Sequence, residues 1–371
     1  MRRKRLLVLA TYPPTAACTR FRACAYFDAL ANRGIDAELH PFFGDEFFRQ
    51  FYRPGALAEK SLGLLRSSVE RARLLLDAGA FDAVFVQREA ALWGPAIVEG
   101  VLARVRKIPV IFDFDDAIWM ENTGSSRHPW LSRLLKSPSK TRGLLRMASE
   151  VIAGSHYLAA YARRFADRVL VSPTVVSCRA WTPLPGRLEG GMATDGVPVI
   201  GWVGSHSTAV YLDFALPALR ALAAAGEVFR VRLVGASRTF QIDGIEVESV
   251  PWSAETEIAD FQRIDIGIAP MGDDEWARGK CGFKQVQYMT VGVPYVSSRV
   301  GGGAGEIVRD GENGLLAGSV DEWQASLRSL LRDRALRARL AQAGRAEVET
   351  SLSTEAQADG VAGVVERAMG T

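Results

Sequence analysis

Short apolar runs of strand length alternate with longer amphipathic stretches, and the alternation occurs twice along the chain with a break between. Parallel strands joined by crossover helices produce this pattern, because a strand covered on both faces reads as an almost unbroken apolar run. The first series comprises RLLVLA (5–10), DAELH (36–40), FDAVFVQ (81–87), IPVIFDF (108–114), EVIAG (150–154) and RVLVSPT (168–174). Helical segments are expected between these runs: 23–34, with Gly34 as its stop, 91–105, and SHYLAAYARRFA after EVIAG. The second series is PVIGWVG (198–204), RVRLVG (230–235), IEVESV (245–250), IDIGIAP (264–270), PYVSS (294–298) and NGLLAG (313–318). A helix is expected through YLDFALPALRALAAAG, and three helical segments close the chain. The aperiodic TPLPGRLEGGMATDGVP, rich in Pro, Gly and Thr, reads as a linker. The expectation is an α/β chain of two tandem Rossmann-like domains facing across a cleft, at 1–182 and 198–353, with the linker at 183–197.

A length of 371 residues accommodates two such domains, and 48% apolar with 23% charged residues excludes disorder and coiled coil. The net charge of +3 conceals an uneven split. Residues 1–190 hold 28 Lys/Arg against 18 Asp/Glu, a balance of +10, and residues 191–371 hold 17 against 24, a balance of −7. A basic first half suits an anionic or lipid-linked partner. Its cations are scattered and no base-reading pattern accompanies them, so nucleic acid is not expected. Arg20, Arg22, Arg49, Arg53, Lys136, Lys140 and Arg142 are the cations available to such a partner. Cysteines at 18, 24, 178 and 281 fit neither a zinc site nor a disulfide framework. The basic start MRRKR leads into an apolar run that ends at Thr11-Tyr12-Pro13-Pro14, which suits a strand better than a signal peptide. No apolar stretch approaches the roughly 20 residues that span a bilayer, so a reduced, cytoplasmic chain is expected, with at most a peripheral contact to an anionic membrane.

Ligands of open parallel sheets bind beyond the carboxyl ends of the strands. After the first strand of the second series stands GWVGSHST (201–208), where small residues admit a ligand to the backbone and Ser/Thr cap a helix start. After the fourth comes DDEWARGKCGFK (273–284), which gathers Arg278, Lys280 and Lys284 beside two glycines. Cations at a helix start oppose the helix dipole unless an anion lies between them. The loop after the fifth strand, VGGGAGEIV (300–308), offers further bare N–H groups. A diphosphate satisfies all three.

The stretch GKCGFKQVQYMTVGVPYVSSRVGGGAGEIVRDGENGLLA (279–317) resembles the donor-binding signature of retaining glycosyltransferases of family four (glycosyl transferases group 1), which have the GT-B fold. IGWVGSHSTAVYL (200–212), QREAALWGPAIVEG and IPVIFDFDDAIW extend the resemblance over nearly the whole chain. It implies transfer of a sugar, with retention and without a metal or other cofactor, from a nucleotide diphosphate-sugar in the second domain to an acceptor hydroxyl in the first. The acceptor would be a glycan, a lipid-linked molecule or a small molecule. The final helix, 354–371, would cross back to the first domain. By the same resemblance Gln287 stands where a ribose-binding Glu is usual, Lys284 meets the diphosphate, and Gly204 with Ser205 cradles phosphate. Val250, Pro251 and Trp252 bracket the base opposite Gly235, and Gly282, Phe283, Gly302 and Gly303 complete the donor loops. The first Glu of the signature falls at Gly279, so Glu275 or Asp274 would have to reach the sugar.

Asp113, Asp115 and Asp116 end the strand IPVIFDF. Acceptor or sugar recognition is the preferred reading, with Asp115 or Asp116 in catalysis beside Lys280 and Lys284. A metal-binding Asp-x-Asp, a structural cap on Arg88 or Arg127, and the nucleophile strand of a haloacid dehalogenase-like phosphatase are the competing readings. Arg20, Arg22, Arg88, Asp113 and His128 are expected on the acceptor side, and His206 at the donor. A nucleotide-sugar epimerase of the same fold and a non-catalytic sugar-nucleotide binder remain as further alternatives.

Overall fold

A computed structural model describes every residue except 1, 52, 54, 93, 121–137, 193–195, 206–207, 237–239, 302–304 and 371. The chain divides into two units, residues 1–174 with 357–371, and residues 175–356.

The sheet of the first unit is built from β1 (Lys4–Ala10), β2 (Ile35–Pro41), β3 (Ala83–Gln87), β4 (Val110–Phe114), β5 (Glu150–Ala153) and β6 (Val169–Val171), in the order β2-β1-β3-β4-β5-β6. All five pairings are parallel. β3, β4 and β5 are buried along their whole length, which is why they read as continuous apolar runs. The order reverses between β1 and β3, so the loops after these two strands open a crevice at the carboxyl edge. Helices α1 (Ala17–Arg22), α2 (Phe27–Asn32), α3 (Asp45–Phe51), α4 (Leu57–Asp77), α5 (Ile97–Gly100), α6 (Pro138–Met147) and α7 (His156–Ala162) belong to this unit.

In the second unit β7 (Val199–Val203), β8 (Arg230–Val234), β9 (Val247–Val250), β10 (Ile266–Ala269), β11 (Tyr295–Ser298) and β12 (Leu315–Ala317) form a parallel sheet ordered β12-β11-β10-β7-β8-β9. Here the reversal lies between β7 and β10. The helices are α8 (Leu216–Ala224), α9 (Glu257–Gln262), α10 (Glu275–Arg278), α11 (Phe283–Thr290), α12 (Val320–Arg332) and α13 (Arg334–Thr350), while the last helix, α14 (Thr354–Met369), returns to the first unit from Gln357 onward. One core gathers Trp202, Leu219, Leu233, Ile268, Trp323 and Leu327. The core of the first unit sets Leu6, Val8, Phe85 and Ile111 against Val361, Val364 and Val365 of α14.

Ten of the twelve strands among the described residues fall within the runs that the sequence marks, and β1 and β2 exceed theirs by Lys4 and by Ile35 and Pro41; the helices depart from it more. The expected helix at 23–34 is a 3-10 turn at Cys24–Tyr26 followed by α2, and that at 91–105 shrinks to α5 and a π turn at Val101–Val105. Residues 175–192, read in part as a linker, belong to the second unit. Arg187 is 2% exposed there and reaches Asp265 at 2.9 Å, while the other carboxylate oxygen of Asp265 accepts from the Val199 N–H at 2.9 Å. A composition typical of linkers thus conceals a buried ion pair that no local pattern reveals.

Candidate active site

In the second unit the site grows from the crossover between β7 and β10. Gly201 and Gly267 lie side by side across these strands because large neighbours need the space. A Cβ on Gly267 would stand 2.7 Å from the ring of Tyr288, and one on Gly201 only 2.2 Å from Ile264. The Tyr288 hydroxyl donates to Gly201 O at 3.0 Å, with Ile268 O at 3.2 Å, which fixes α11 against the sheet. Lys284 stands four residues earlier on the same helix face, so the contact that buries Tyr288 carries Lys284 past the carboxyl edge. Its ammonium lies 5.4 Å from the centre of the Trp202 ring.

The turns beyond the strands complete the floor. Gly204 N–H donates to Val234 O at 3.0 Å, and Gly235, at φ +78°, packs so closely that a Cβ would lie 2.1 Å from Gly204 O and 3.2 Å from the Cβ of Trp252. Ser205 O accepts from the N–H groups of Thr208 and Ala209 at 3.0 and 3.1 Å. After β10, Asp274 caps α10 through the Ala277 N–H at 2.7 Å and accepts the Tyr211 hydroxyl at 3.1 Å. Arg278 pairs with Asp273 at 3.1 Å on the surface, and Glu275 is exposed. Lys280 places its ammonium 3.7 Å from the centre of the Trp276 ring, whose plane stacks near that of Tyr211. Gly282 adopts φ +70°, the left-handed turn that starts α11 at Phe283.

Two features bear on charge. Burial, with Lys280 adding to it, pushes Lys284 down to about 8. Among the described residues no carboxylate pairs with Lys284, so this corner of the sheet carries an excess of positive charge that an anion would neutralise.

Gln287 lies elsewhere than its motif position suggests. It is 4% exposed and donates to Glu257 Oε1 at 3.3 Å, so its amide faces the interior between α11 and α9 and offers no open contact to a ribose. Asp274 is likewise engaged as a cap. Val250 and Trp252 are half-buried and Pro251 exposed beside Gly235. His206, Gly302 and Gly303 lie outside the described residues, as do His128 and Lys136 of the acceptor reading.

In the first unit several expected acceptor groups prove internal. Arg22 and Asp113 are 2% and 1% exposed and form a bidentate pair, and Arg22 also donates to Ser172 O. Burial opposes the charge on Arg22, but the Asp113 carboxylate outweighs it and keeps the guanidinium protonated. Both residues therefore hold the unit together instead of meeting an acceptor, and Asp113 is closed to attack on a phosphomonoester. Lys140 is also internal: its ammonium reaches Glu89 at 2.7 Å and Ala91 O at 2.6 Å. Arg20 lies over the ring of Phe21 at 4.5 Å.

Arg88 differs from these. It sits directly after β3 at φ +60°, a costly conformation for a side chain other than glycine. Its N–H donates to Asp113 O at 2.7 Å, and its guanidinium reaches Asp115 at 2.6 Å and Asp116 at 3.6 Å. With side-chain exposures of 21%, 12% and 17% the three groups remain partly open beyond the carboxyl ends of β3 and β4. The cap on Arg88, one of the competing readings of the acidic cluster, is the arrangement present. No cluster of three His, Cys, Asp or Glu side chains suited to a metal occurs among the described residues.

Sequence reasoning missed Trp202, Tyr211 and Trp276, whose roles depend on which loops the topology brings together. It also missed Gln87, fully buried at the end of β3 with no hydrogen-bond partner for either amide atom among the described residues.

Residues 197–333 match the family described as Glycosyl transferases group 1. No protein of curated function matches the chain by sequence. Among solved structures, HepE of Anabaena in complex with UDP-glucose is similar over 98% of this chain and 99% of its own, with a TM-score of 0.67 and 16% identity. A sucrose-phosphate synthase from Thermosynechococcus elongatus is similar over 99% of both chains, at TM-score 0.67 and 16% identity. A glycosyltransferase from Rickettsia africae is similar over 99% of both chains, at TM-score 0.69 and 13% identity. At such identities the likeness concerns the fold, two Rossmann-like sheets in tandem of the GT-B class.

Proposed function

We propose that the chain, whose residues 197–333 match the glycosyl transferases group 1 family, is a nucleotide-sugar-dependent glycosyltransferase whose residues divide the work as follows. The second unit binds the donor, with Lys284 and Lys280 against the diphosphate, Gly204 and Ser205 beneath it, and Trp252 beside the base. The observation that carries this assignment is Lys284, a half-buried cation pushed down to about 8 and paired with no carboxylate among the described residues. An anion at that point relieves the mutual repulsion of the two ammonium groups and replaces the water that burial removed. The complex of HepE with UDP-glucose makes a uridine diphosphate-sugar the first donor to test.

The acceptor belongs to the first unit, where Arg88, Asp115 and Asp116 lie partly open beyond β3 and β4. Transfer proceeds with retention and without a metal. The acceptor oxygen bonds to the anomeric carbon on the face that the diphosphate leaves. The bond from that carbon to the β-phosphate oxygen breaks, its electron pair stays on the phosphate, and the same phosphate takes the acceptor proton. Lys280 and Lys284 stabilise the charge that gathers on the leaving group, so no strong protein base is required. Asp115, held in place by Arg88, orients the acceptor hydroxyl.

The reading is tested by incubating the chain with a panel of nucleotide diphosphate-sugars, with and without candidate acceptors, and analysing the products. Nucleotide diphosphate release that needs an acceptor and disappears in Lys284→Ala supports it. An altered free sugar nucleotide formed without acceptor identifies an epimerase, and binding without turnover identifies a sensor.

A further inference from the structure

Helix α4 carries two apolar stripes, and only one of them is covered. On the packed side Gly63 makes room for the ring of Phe47, Ser67 is buried, and Arg71 is 4% exposed and donates to His40 O at 2.9 Å. About half a turn away, Ala58, Leu62, Leu65, Val69, Ala72 and Leu76 follow one another at alternating steps of four and three residues. That spacing repeats every seven residues and makes one straight seam along a helix. All six are exposed, with Leu62 at 68%, Leu65 at 58%, Val69 at 43% and Leu76 at 72%. A helix of 21 residues spans about 30 Å, so the seam is long enough for a sustained helix–helix contact.

We propose that this seam is a dimer interface, in which α4 packs antiparallel against α4 of a second copy of the chain. Two considerations select that occupant. The first is the order of side-chain sizes. In the antiparallel register centred on Ser67, Leu62 meets Ala72 of the partner subunit, Leu65 meets Val69 of the partner subunit, and Ala58 meets Leu76 of the partner subunit. Each layer sets a longer side chain against a shorter one, the arrangement that fills the space between helices without overpacking. The two-fold axis repeats every contact, as an isologous interface requires.

The second consideration is charge. The positions flanking the seam on one side are Glu59, Arg66 and Arg73. In the same register Glu59 meets Arg73 of the partner subunit, twice by symmetry, while the like-charged Arg66 pair at the centre is already compensated by Glu70 at 3.0 Å. A parallel pairing would set Arg66 and Arg73 against Ser61 and Ser68 and leave Glu59 without Arg73, so charge as well as size favours the antiparallel one. An anionic membrane fits less well. Apart from the buried Arg71, α4 carries three cations, Lys60, Arg66 and Arg73, against three acids, Glu59, Glu70 and Asp77. The helix presents no net positive charge to a lipid surface.

The test is the mass in solution of the full chain, by sedimentation equilibrium from about 1 to 100 μM, with circular dichroism to establish that each variant is folded. A dimer is expected. Leu65→Arg should leave a folded monomer over this range. Glu59→Arg or Arg73→Glu alone should weaken association about threefold to tenfold, and the double reversal should restore it. These residues lie outside the proposed donor and acceptor sites, so binding of uridine diphosphate should be unchanged throughout. A wild-type chain that stays monomeric at 100 μM overturns the proposal, as does a dimer indifferent to Leu65→Arg. A monomer that binds phosphatidylglycerol-containing vesicles through Leu65 would assign the seam to a membrane and overturn it as well.

Discussion

The ammonium of Lys284 lies 5.4 Å from the centre of the Trp202 ring, and that ring is 1% exposed. One helix turn separates Lys284 from Tyr288, whose hydroxyl is anchored on two strands. The position of the cation is therefore set by the core and not by a flexible loop, and the chemistry of the donor site depends on an aromatic floor that has no charge of its own.

Because burial and Lys280 push Lys284 down to about 8, the proposed diphosphate binding should depend on pH in a defined direction. The ligand favours the ammonium, so binding takes up a proton once the pH exceeds that value. Affinity for uridine diphosphate should fall about tenfold between pH 7 and pH 9, as the protonated fraction falls by the same factor. Calorimetry in buffers of differing ionisation enthalpy measures the uptake. In Lys284→Met the slope should vanish, with affinity at pH 7 lowered about tenfold to hundredfold. A slope unchanged in that variant would refute the assignment.

Arg88→Met should separate acceptor chemistry from donor binding. It removes the partner of Asp115 and Asp116, so transfer should fall about a hundredfold in kcat/KM with the acceptor varied. Donor affinity, which the second unit determines, should stay within about twofold by calorimetry. A parallel loss of donor binding would argue that Arg88 serves the fold alone.

Arg22→Met should act on stability alone. It strands the Asp113 carboxylate in an interior where the pair is 2% and 1% exposed. The expected cost is about 3–5 kcal/mol in urea unfolding, and Arg22→Met with Asp113→Leu together should recover much of it. If the single variant instead unfolds like wild type and changes acceptor affinity, the internal assignment fails.

A fragment of residues 175–356 should be more stable than one of residues 198–356. The longer fragment retains Arg187 on Asp265, which is 0% exposed, and Asp265 left alone becomes a buried unpaired charge. A difference of several degrees in Tm is expected, and equal values would restore 183–197 to the status of a linker.

The strands were legible because parallel strands buried on both faces leave apolar runs that need no partner to be recognised. Lys280 and Lys284 were legible for another local reason, since cations at a helix start beside glycines contradict the dipole. What escaped was long-range. Arg22 and Asp113 look like an open cation and an open acid until 91 residues of intervening chain fold them together. The seam on α4 escaped because apolar residues on two opposite faces blunt the one-sided periodicity by which helices are read. Gln287 matched its motif position, yet its amide turned inward to Glu257.

The chain leaves its first unit after Thr174 and returns to it at Gln357, so Val361, Val364 and Val365, which close the core around Leu6 and Val8, are synthesised long after the strand they cover. At about 5–20 residues per second, β1 waits on the order of tens of seconds for the helix that covers it. The second unit is contiguous and can finish folding first. Deleting α14 should therefore injure strands made long before it, and should leave a protein that still takes hold of the donor but has lost the unit proposed to hold the acceptor.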